Sequence, residues 1–128
     1  MMKLKQTRLV TEDVDRLVRF YEMVTGAGAA LGRPGYVELK TPCAGLAIAG
    51  SGVRGAYGAD VVATAANRSA ILDFEVEDVD RAYDRLRGIV KDWVLPPTNQ
   101  PWGTRAILFR DPDGNLINFF ARNRTAAS

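Results

Sequence analysis

Polar side chains recur at positions of the predicted strands where apolar residues are the ordinary occupants. Asn118 lies between apolar neighbours near the C-terminus, Gln6 and Arg8 alternate near the N-terminus, and Asp73 and Glu75 alternate in between. Amides can orient a polar ligand, a guanidinium can bind an anion, and a carboxylate can act as a general base. These five side chains are therefore candidates for chemistry.

The absence of histidine restricts that chemistry. With no histidine in the sequence, Cys-His and Ser-His catalytic pairs and histidine metal ligands are excluded. Cys43 is the single cysteine, so no intrachain disulfide can form, and one thiol suits a reducing cytoplasm. We therefore expect a cytoplasmic protein without a cofactor.

Length and charge indicate a small globular domain. The 128 residues fit one domain, predicted over residues 1–128, with a net charge of +2 and no basic block. This charge gives no reason to expect nucleic-acid binding. No apolar run reaches the roughly 18 residues that a membrane span needs, and residues 1–10 lack the apolar region of a signal peptide. We expect a small molecule as the partner, not a nucleic acid or a membrane.

A predicted C-terminal hairpin positions Asn118. Thr104–Arg110 is predicted to form one strand, and residues 116–121 form the returning strand. Residues 111–115, Asp-Pro-Asp-Gly-Asn, have turn chemistry because proline presets φ and both glycine and asparagine tolerate positive φ. Alternation then places Asn118 on the same face as Leu116 and Phe120.

The two halves of the chain repeat one pattern. The pentapeptide Glu-Asp-Val-Asp-Arg occurs at residues 12–16 and 77–81, an offset of 65 residues. Each copy follows a predicted strand and opens an apolar helical stripe. The stripes are Val14, Leu17, Val18, Tyr21 and Val24, then Val79, Ala82, Tyr83, Leu86 and Ile89. Their matching register indicates an internal duplication.

Each copy is predicted to be a module of one strand, one helix and two or three antiparallel strands. The modules cover about residues 3–50 and 70–122, joined by a linker or mobile loop at 51–69 and followed by a tail at 123–128. Further strands are predicted at residues 35–40, 45–49 and 91–95, the last of them bounded by Pro96 and Pro97.

A helix on one face of each sheet leaves the other face free, and two such sheets side by side would form a trough. The predicted helix-facing set is apolar: Leu9, Leu46, Ile48, Leu72, Phe74, Ile117 and Phe119. The opposite set is mixed: Gln6, Arg8, Val10, Ala47, Ala49, Ile71, Asp73, Glu75, Leu116, Asn118 and Phe120.

These features resemble the vicinal oxygen chelate superfamily, which includes glyoxalase I, extradiol dioxygenases and bleomycin-resistance proteins. The resemblance covers residues 3–122 and is carried by the duplicated strand–Asp–helix openings, residues 13–21 (DVDRLVRFY) and residues 109–117 (FRDPDGNLI). It implies an α+β fold of two βαβββ modules that form a cup-shaped curved mixed sheet, and it implies a homodimer.

In metal-bearing members of that superfamily, four strand positions hold a divalent ion. The resemblance places them here at Gln6, Ala47, Ile71 and Asn118. Two of these side chains have no donor atom, and two neutral amides are weak ligands without a carboxylate or imidazole beside them. We therefore expect a degenerate site without a metal. Asp73 and Glu75 could supply oxygens, or could pair with Arg8 between the modules.

The metal-free members imply a different use of the trough, the binding of a planar aromatic molecule between aromatic walls and a few polar groups. The candidates are Gln6, Arg8, Tyr36, Tyr57, Trp93, Trp102, Asn118 and Phe120. Structural explanations stay open beside this one: Trp93 could pack internally, Trp102 could cap its module, and Asn118 could bond to a neighbouring strand.

Three functions follow from these alternatives. The sequence favours a non-catalytic binder of an aromatic or hydrophobic small molecule, such as an antibiotic. The alternative is a lyase- or isomerase-like enzyme that acts on a small carbonyl or acid substrate with Asp73 or Glu75 as the base. A third hypothesis is a degenerate module kept for dimerisation or regulation, whose trough is filled by its own side chains.

Overall fold

The chain folds into two compact units, the first ending at Ala66 and the second beginning at Asn67. A computed structural model describes residues 1–33, 35–58 and 60–123. Each unit holds one four-stranded mixed sheet, and the architecture is α+β as predicted.

Five elements follow one another in the same order in both units, and the first unit adds a short helix after them. The first unit contains β1 (Gln6–Val10), α1 (Val14–Thr25), β2 (Ala29–Arg33), β3 (Tyr36–Lys40), β4 (Gly45–Ala49) and α2 (Gly52–Tyr57). The second unit contains β5 (Ile71–Glu75), α3 (Val79–Leu86), β6 (Asp92–Asn99), β7 (Thr104–Arg110) and β8 (Leu116–Arg122).

The two sheets share one topology. Their strand orders are β1-β4-β3-β2 and β5-β8-β7-β6. In each sheet the first strand of the unit pairs in parallel with the last, and the other neighbours are antiparallel. This is the βαβββ pattern twice, and it confirms the predicted duplication.

The repeated aspartates cap the two longer helices in the same way. The Asp13 carboxylate accepts from the Arg16 backbone N–H, and the Asp78 carboxylate accepts from that of Arg81, both at 3.1 Å. Each bond satisfies a backbone donor that has no partner inside the helix. Helix α1 ends at Gly26, whose φ of 73° suits a residue without a Cβ.

The apolar core of each unit lies between its helix and its sheet. In the first unit α1 packs on β3 and β4, and in the second α3 packs on β6, β7 and β8. The buried helix residues are Leu17, Phe20, Tyr21 and Val24 in α1 and Val79, Ala82 and Leu86 in α3. Of the predicted helix-facing set, Leu46, Ile48, Ile117 and Phe119 are buried, whereas Leu9, Leu72 and Phe74 are half-buried.

The turn between β7 and β8 is held by its own side chains. One carboxylate oxygen of Asp111 accepts from the backbone N–H groups of Asp113 and Asn115, both at 2.9 Å. The other accepts from the Asn115 side-chain amide at 2.7 Å. Gly114 has a φ of 87°, which glycine adopts without strain. This closed turn fixes the register in which β8 presents Asn118.

Three elements differ from the sequence predictions. Strand β2 was not predicted, and the segment predicted as a linker contains α2. Strand β6 continues past Pro96 and Pro97 to Asn99, because it is an edge strand and its pairing with β7 is irregular between Leu95 and Thr98. Among the described residues, no helix has the length and apolar character to cross a bilayer.

Candidate functional site

In the first unit, β4 carries a row of small residues on the open face, which we define for each unit as the sheet face opposite its long helix. The row is Gly45, Ala47 and Ala49. In register, it lies between Gln6, Arg8 and Val10 on β1 and Lys40, Glu38 and Tyr36 on β3. Ala47 and Ala49 are fully buried, and the longer side chains of the flanking strands share their face.

A hydrogen-bonded bridge crosses the row of small residues. Gln6 Nε2 donates to the Tyr36 hydroxyl at 2.9 Å, and that hydroxyl donates to Glu38 Oε1 at 3.3 Å. Gln6 is paired with Gly45 and Tyr36 with Ala49. The two side chains therefore meet over the middle of the row, and the structure brings together two of the predicted binding residues.

Arg8 is engaged by the short helix. Its Nη2 donates to the Tyr57 hydroxyl at 2.9 Å, and its guanidinium carbon lies 5.4 Å from the centre of that ring. Tyr57 is 53% exposed at the end of α2. A second exposed bond in the same unit, from the Thr64 hydroxyl to Glu12 at 2.9 Å, joins the segment after β4 to the connection between β1 and α1. Two of the predicted residues thus form a polar pair.

In the second unit, Asn118 is joined to Asp73 on the neighbouring strand. The two residues are paired in register between β5 and β8, and Asn118 Nδ2 donates to Asp73 Oδ1 at 3.0 Å. The other amide atom, Asn118 Oδ1, is buried and has no hydrogen-bond donor among the residues that the structure describes. Ile71, on the same face, is 53% exposed. This face therefore combines an apolar surface with an unused acceptor.

The two carboxylates predicted as candidate bases are exposed to solvent. Asp73 and Glu75 are both exposed on β5. The enzyme hypothesis requires a base in apolar surroundings, and these positions do not provide them. The pairing of either carboxylate with Arg8 stays a prediction.

The aromatic candidates separate into different places. Trp93 lies on the helix side, with ring centres 4.8 Å from Tyr83 and 5.4 Å from Phe109. These contacts agree with internal packing, the structural explanation left open above, and a ligand-binding role for Trp93 stays a prediction. Phe120 is half-buried on β8, and Trp102 is 75% exposed in the turn before β7.

The four positions that the resemblance assigns to a metal divide equally between the units. In the first unit the Gln6 amide is bonded to Tyr36, and Ala47 is fully buried. In the second unit the Asn118 amide is bonded to Asp73 beside Ile71. Within residues 1–33, 35–58 and 60–123, no three His, Cys, Asp or Glu side chains cluster as a metal site. The side chains present do not match the donor preferences of a divalent ion.

Sequence reasoning missed Glu38. Its carboxylate accepts from Tyr36 and it is paired with Ala47, so it belongs to the same face as Gln6. The signal was available, because alternation within residues 35–40 puts Glu38 on the face of Tyr36.

Comparisons with known proteins agree with this architecture. Residues 3–119 match the family model of the Glyoxalase/Bleomycin resistance protein/Dioxygenase superfamily. The uncharacterized protein YraH of Bacillus subtilis (strain 168) is 33% identical, over 93% of this chain and 98% of its own length.

Two solved structures show the same fold. A glyoxalase/bleomycin resistance protein/dioxygenase from Nocardioides has a TM-score of 0.80 and 27% identity, over 97% of this chain and 85% of its own. A glyoxalase/bleomycin resistance protein/dioxygenase family enzyme from Burkholderia phytofirmans PsJN has a TM-score of 0.85 and 16% identity, over 94% of this chain and 99% of its own. The chain belongs to the glyoxalase/bleomycin resistance protein/dioxygenase superfamily.

Proposed function

We propose that this protein binds a small, flat, hydrophobic molecule, such as an antibiotic, without a divalent metal. Each unit supplies an open face with its own polar anchor: the Gln6 amide in the first unit and the Asn118 amide in the second. Exposed or half-buried apolar side chains, Ile71 and Phe120 among them, surround the second anchor. This mixture of apolar surface and few polar groups is typical of small-molecule sites.

The observation that carries the proposal is the buried, unpaired oxygen of Asn118. A buried acceptor without a donor costs about 1–3 kcal/mol. A ligand that displaces the side chains covering this oxygen and offers it an N–H or O–H recovers that cost, so a donor on the ligand is favoured. The Asp73 carboxylate holds the amide in the orientation that turns its oxygen away from β5.

The donor chemistry supports binding without a metal. Ala47 and Ile71 cannot coordinate an ion, and each unit contributes one neutral amide at the remaining positions. Hard divalent ions prefer several oxygen ligands that include carboxylates. The proposed ligand is therefore held by hydrogen bonds and apolar contact.

Fluorescence titration tests the proposal. The protein is titrated with a panel of planar drugs and polycyclic aromatics, before and after dialysis against EDTA, while tryptophan emission is followed. We expect saturable quenching with a Kd that EDTA does not change. The matched variants Trp102→Phe and Trp93→Phe distinguish the exposed indole from the packed one, and we expect the Trp102 signal to respond.

Two results would contradict this function. One is the absence of binding by every planar compound in the panel. The other is a stoichiometric divalent cation retained by the purified protein and contacting Gln6 or Asn118, since a Lewis-acid catalyst would then replace the binder. The predicted homodimer and cytoplasmic location are separate proposals, and light scattering on the purified protein measures the first.

A second candidate function is a non-binding module kept for dimerisation or regulation. It is favoured by one observation, the covering of the small-residue row on β4 by the protein's own Gln6 and Tyr36. Saturable binding in the titration would exclude it.

A further inference from the structure

The hydrogen-bonded bridge over β4 resembles a bound phenol, and here the phenol is the side chain of Tyr36. Tyr36 starts beside Ala49, and its hydroxyl reaches Gln6, which starts beside Gly45, on the far side of the strand. The diagonal between these two positions passes over Ala47, which is fully buried. The Tyr36 and Gln6 side chains thus join across a strand that carries only small residues on this face.

The polar groups at the end of the ring match one phenolic hydroxyl. Gln6 Nε2 can only donate and an ionised Glu38 carboxylate can only accept. A hydroxyl that accepts at 2.9 Å and donates at 3.3 Å satisfies both at once. A ketone or ether oxygen would satisfy Gln6 alone, whereas a hydroxyl complements both groups.

We propose that Tyr36 is an internal occupant of a phenol-binding site, and that the ligand of the first unit is a planar molecule whose phenolic hydroxyl takes the place of the Tyr36 hydroxyl between Gln6 and Glu38. This inference rests on the proposed binding function and specifies its ligand. Binding requires the Tyr36 side chain to swing away by rotation about χ1, which leaves the small floor of Gly45, Ala47 and Ala49 for the ligand ring. Tyr36 then sets the specificity, because a ligand must compete with an intramolecular phenol.

The test removes the internal phenol and supplies it from solution. Tyr36→Ala is titrated with p-cresol, which is the tyrosine side chain without its backbone, and with toluene and 4-methylanisole, which lack the donor. Calorimetry or ligand-observed NMR gives the affinities. We expect Tyr36→Ala to bind p-cresol at least tenfold more tightly than the wild type does. The same variant should prefer p-cresol to toluene by about tenfold, the factor that one hydrogen bond of about 1.4 kcal/mol confers.

A conservative pair keeps the test decisive if the alanine variant does not fold. Tyr36→Phe retains the ring and loses the hydroxyl that holds it, so p-cresol affinity should rise severalfold. Tyr83→Phe, which removes a hydroxyl from a tyrosine packed on Trp93 in the second unit, should bind p-cresol as the wild type does. A folded Tyr36 variant with no gain over the wild type, or one that binds toluene as well as p-cresol, would overturn the inference.

Failure of this inference differs from failure of the proposed function. A wild-type protein that binds a planar drug while neither Tyr36 variant gains affinity for p-cresol would overturn the internal occupant and leave the binding function standing. Variants that gain p-cresol affinity while the wild type binds nothing would support the internal occupant and overturn the binding function.

Discussion

Replacing Asn118 with leucine tests whether the second unit keeps a polar group at the expense of stability. The Asn118 side-chain oxygen is buried without a donor in the described part of the chain, which costs about 1–3 kcal/mol. The bond from its nitrogen to Asp73 ends on an exposed carboxylate and contributes at most about 1 kcal/mol. Leucine has nearly the same shape and would contact Leu108, its partner across β7. We expect Asn118→Leu to raise the free energy of unfolding by about 1 kcal/mol.

Urea denaturation and thermal unfolding measure this change. Unfolding entropy of about 2.1 cal/mol/K per residue makes 1 kcal/mol worth roughly 4 °C in Tm for a chain of this size. Asn99→Leu is the matched control, because the Asn99 amide is exposed and accepts from Arg105 at 2.9 Å. The free energy of unfolding of Asn99→Leu should not rise above that of the wild type. If Asn118→Leu instead lowers the free energy of unfolding by 1 kcal/mol or more, the unpaired oxygen is not a cost and the reasoning about the anchor is wrong.

Three further perturbations follow from the structure. Asp111→Ala removes three hydrogen bonds from a buried turn and should lower the free energy of unfolding by about 3 kcal/mol in urea titration; a loss below about 1 kcal/mol would contradict that role. Gly114→Ala should lower the free energy of unfolding by about 1 kcal/mol in the same assay, because Gly114 has a φ of +87°. Gly28→Ala is the control and should leave the free energy of unfolding unchanged, because Gly28 is equally free of neighbours but has no positive φ. The Arg105 guanidinium, bonded to Asp80 at 2.8 Å, lowers the pKa of that carboxyl. A lowered pKa in the folded state gives stability that is present at neutral pH and is lost as pH falls through the lowered pKa. Because the pair is exposed, Arg105→Met should lower the free energy of unfolding by only about 0.5 kcal/mol at pH 7. The wild type and the variant should become equally stable at acid pH. A stability difference that does not change with pH would exclude the ion pair as its source.

Local patterns sufficed for most of the framework. The two aspartate caps and the apolar stripes behind them predicted α1 and α3, and the Asp-Pro-Asp-Gly-Asn turn predicted the hairpin of β7 and β8. Strand β2 escaped prediction because Ala29–Arg33 is short and shows no clear alternation. The full length of β6 escaped because two consecutive prolines ordinarily end a strand, and only an edge position tolerates them.

The contacts of the candidate site depend on information that alternation does not carry. Alternation assigned Gln6 and Arg8 to a face, but not to partners on that face. Gln6 and Tyr36 lie at opposite ends of the β4 row because β1 is parallel to β4 while β3 is antiparallel to it, and pairing direction is a property of the sheet. For the same reason the bond between Gln6 and Tyr36 could not be predicted, since the two residues start at opposite ends of the row.

The duplication shows how one scaffold acquired two different faces. Arg8 and Asp73 occupy equivalent positions on the first strands, and Ala47 and Asn118 are their register partners on the last strands. In the second unit the Asn118 amide donates a hydrogen bond to Asp73. In the first unit Ala47 has no polar group to bond to Arg8, and Arg8 donates to Tyr57 instead.

The two units place an aromatic ring at the same register position, but on different strands. In the first unit Tyr36 on the third strand is paired with Ala49 on the last, and in the second unit Ala106 on the third strand is paired with Phe120 on the last. Each unit thus sets one ring beside one methyl group, but the ring comes from opposite strands. Only the ring from the third strand carries a hydroxyl and has Glu38 two residues along the same strand. The equivalent position next to Ala106 is Leu108, which cannot accept a hydrogen bond. The Tyr36 and Glu38 pair of the first unit therefore has no counterpart at the equivalent positions of the second unit, where the unpaired oxygen of Asn118 is the polar anchor.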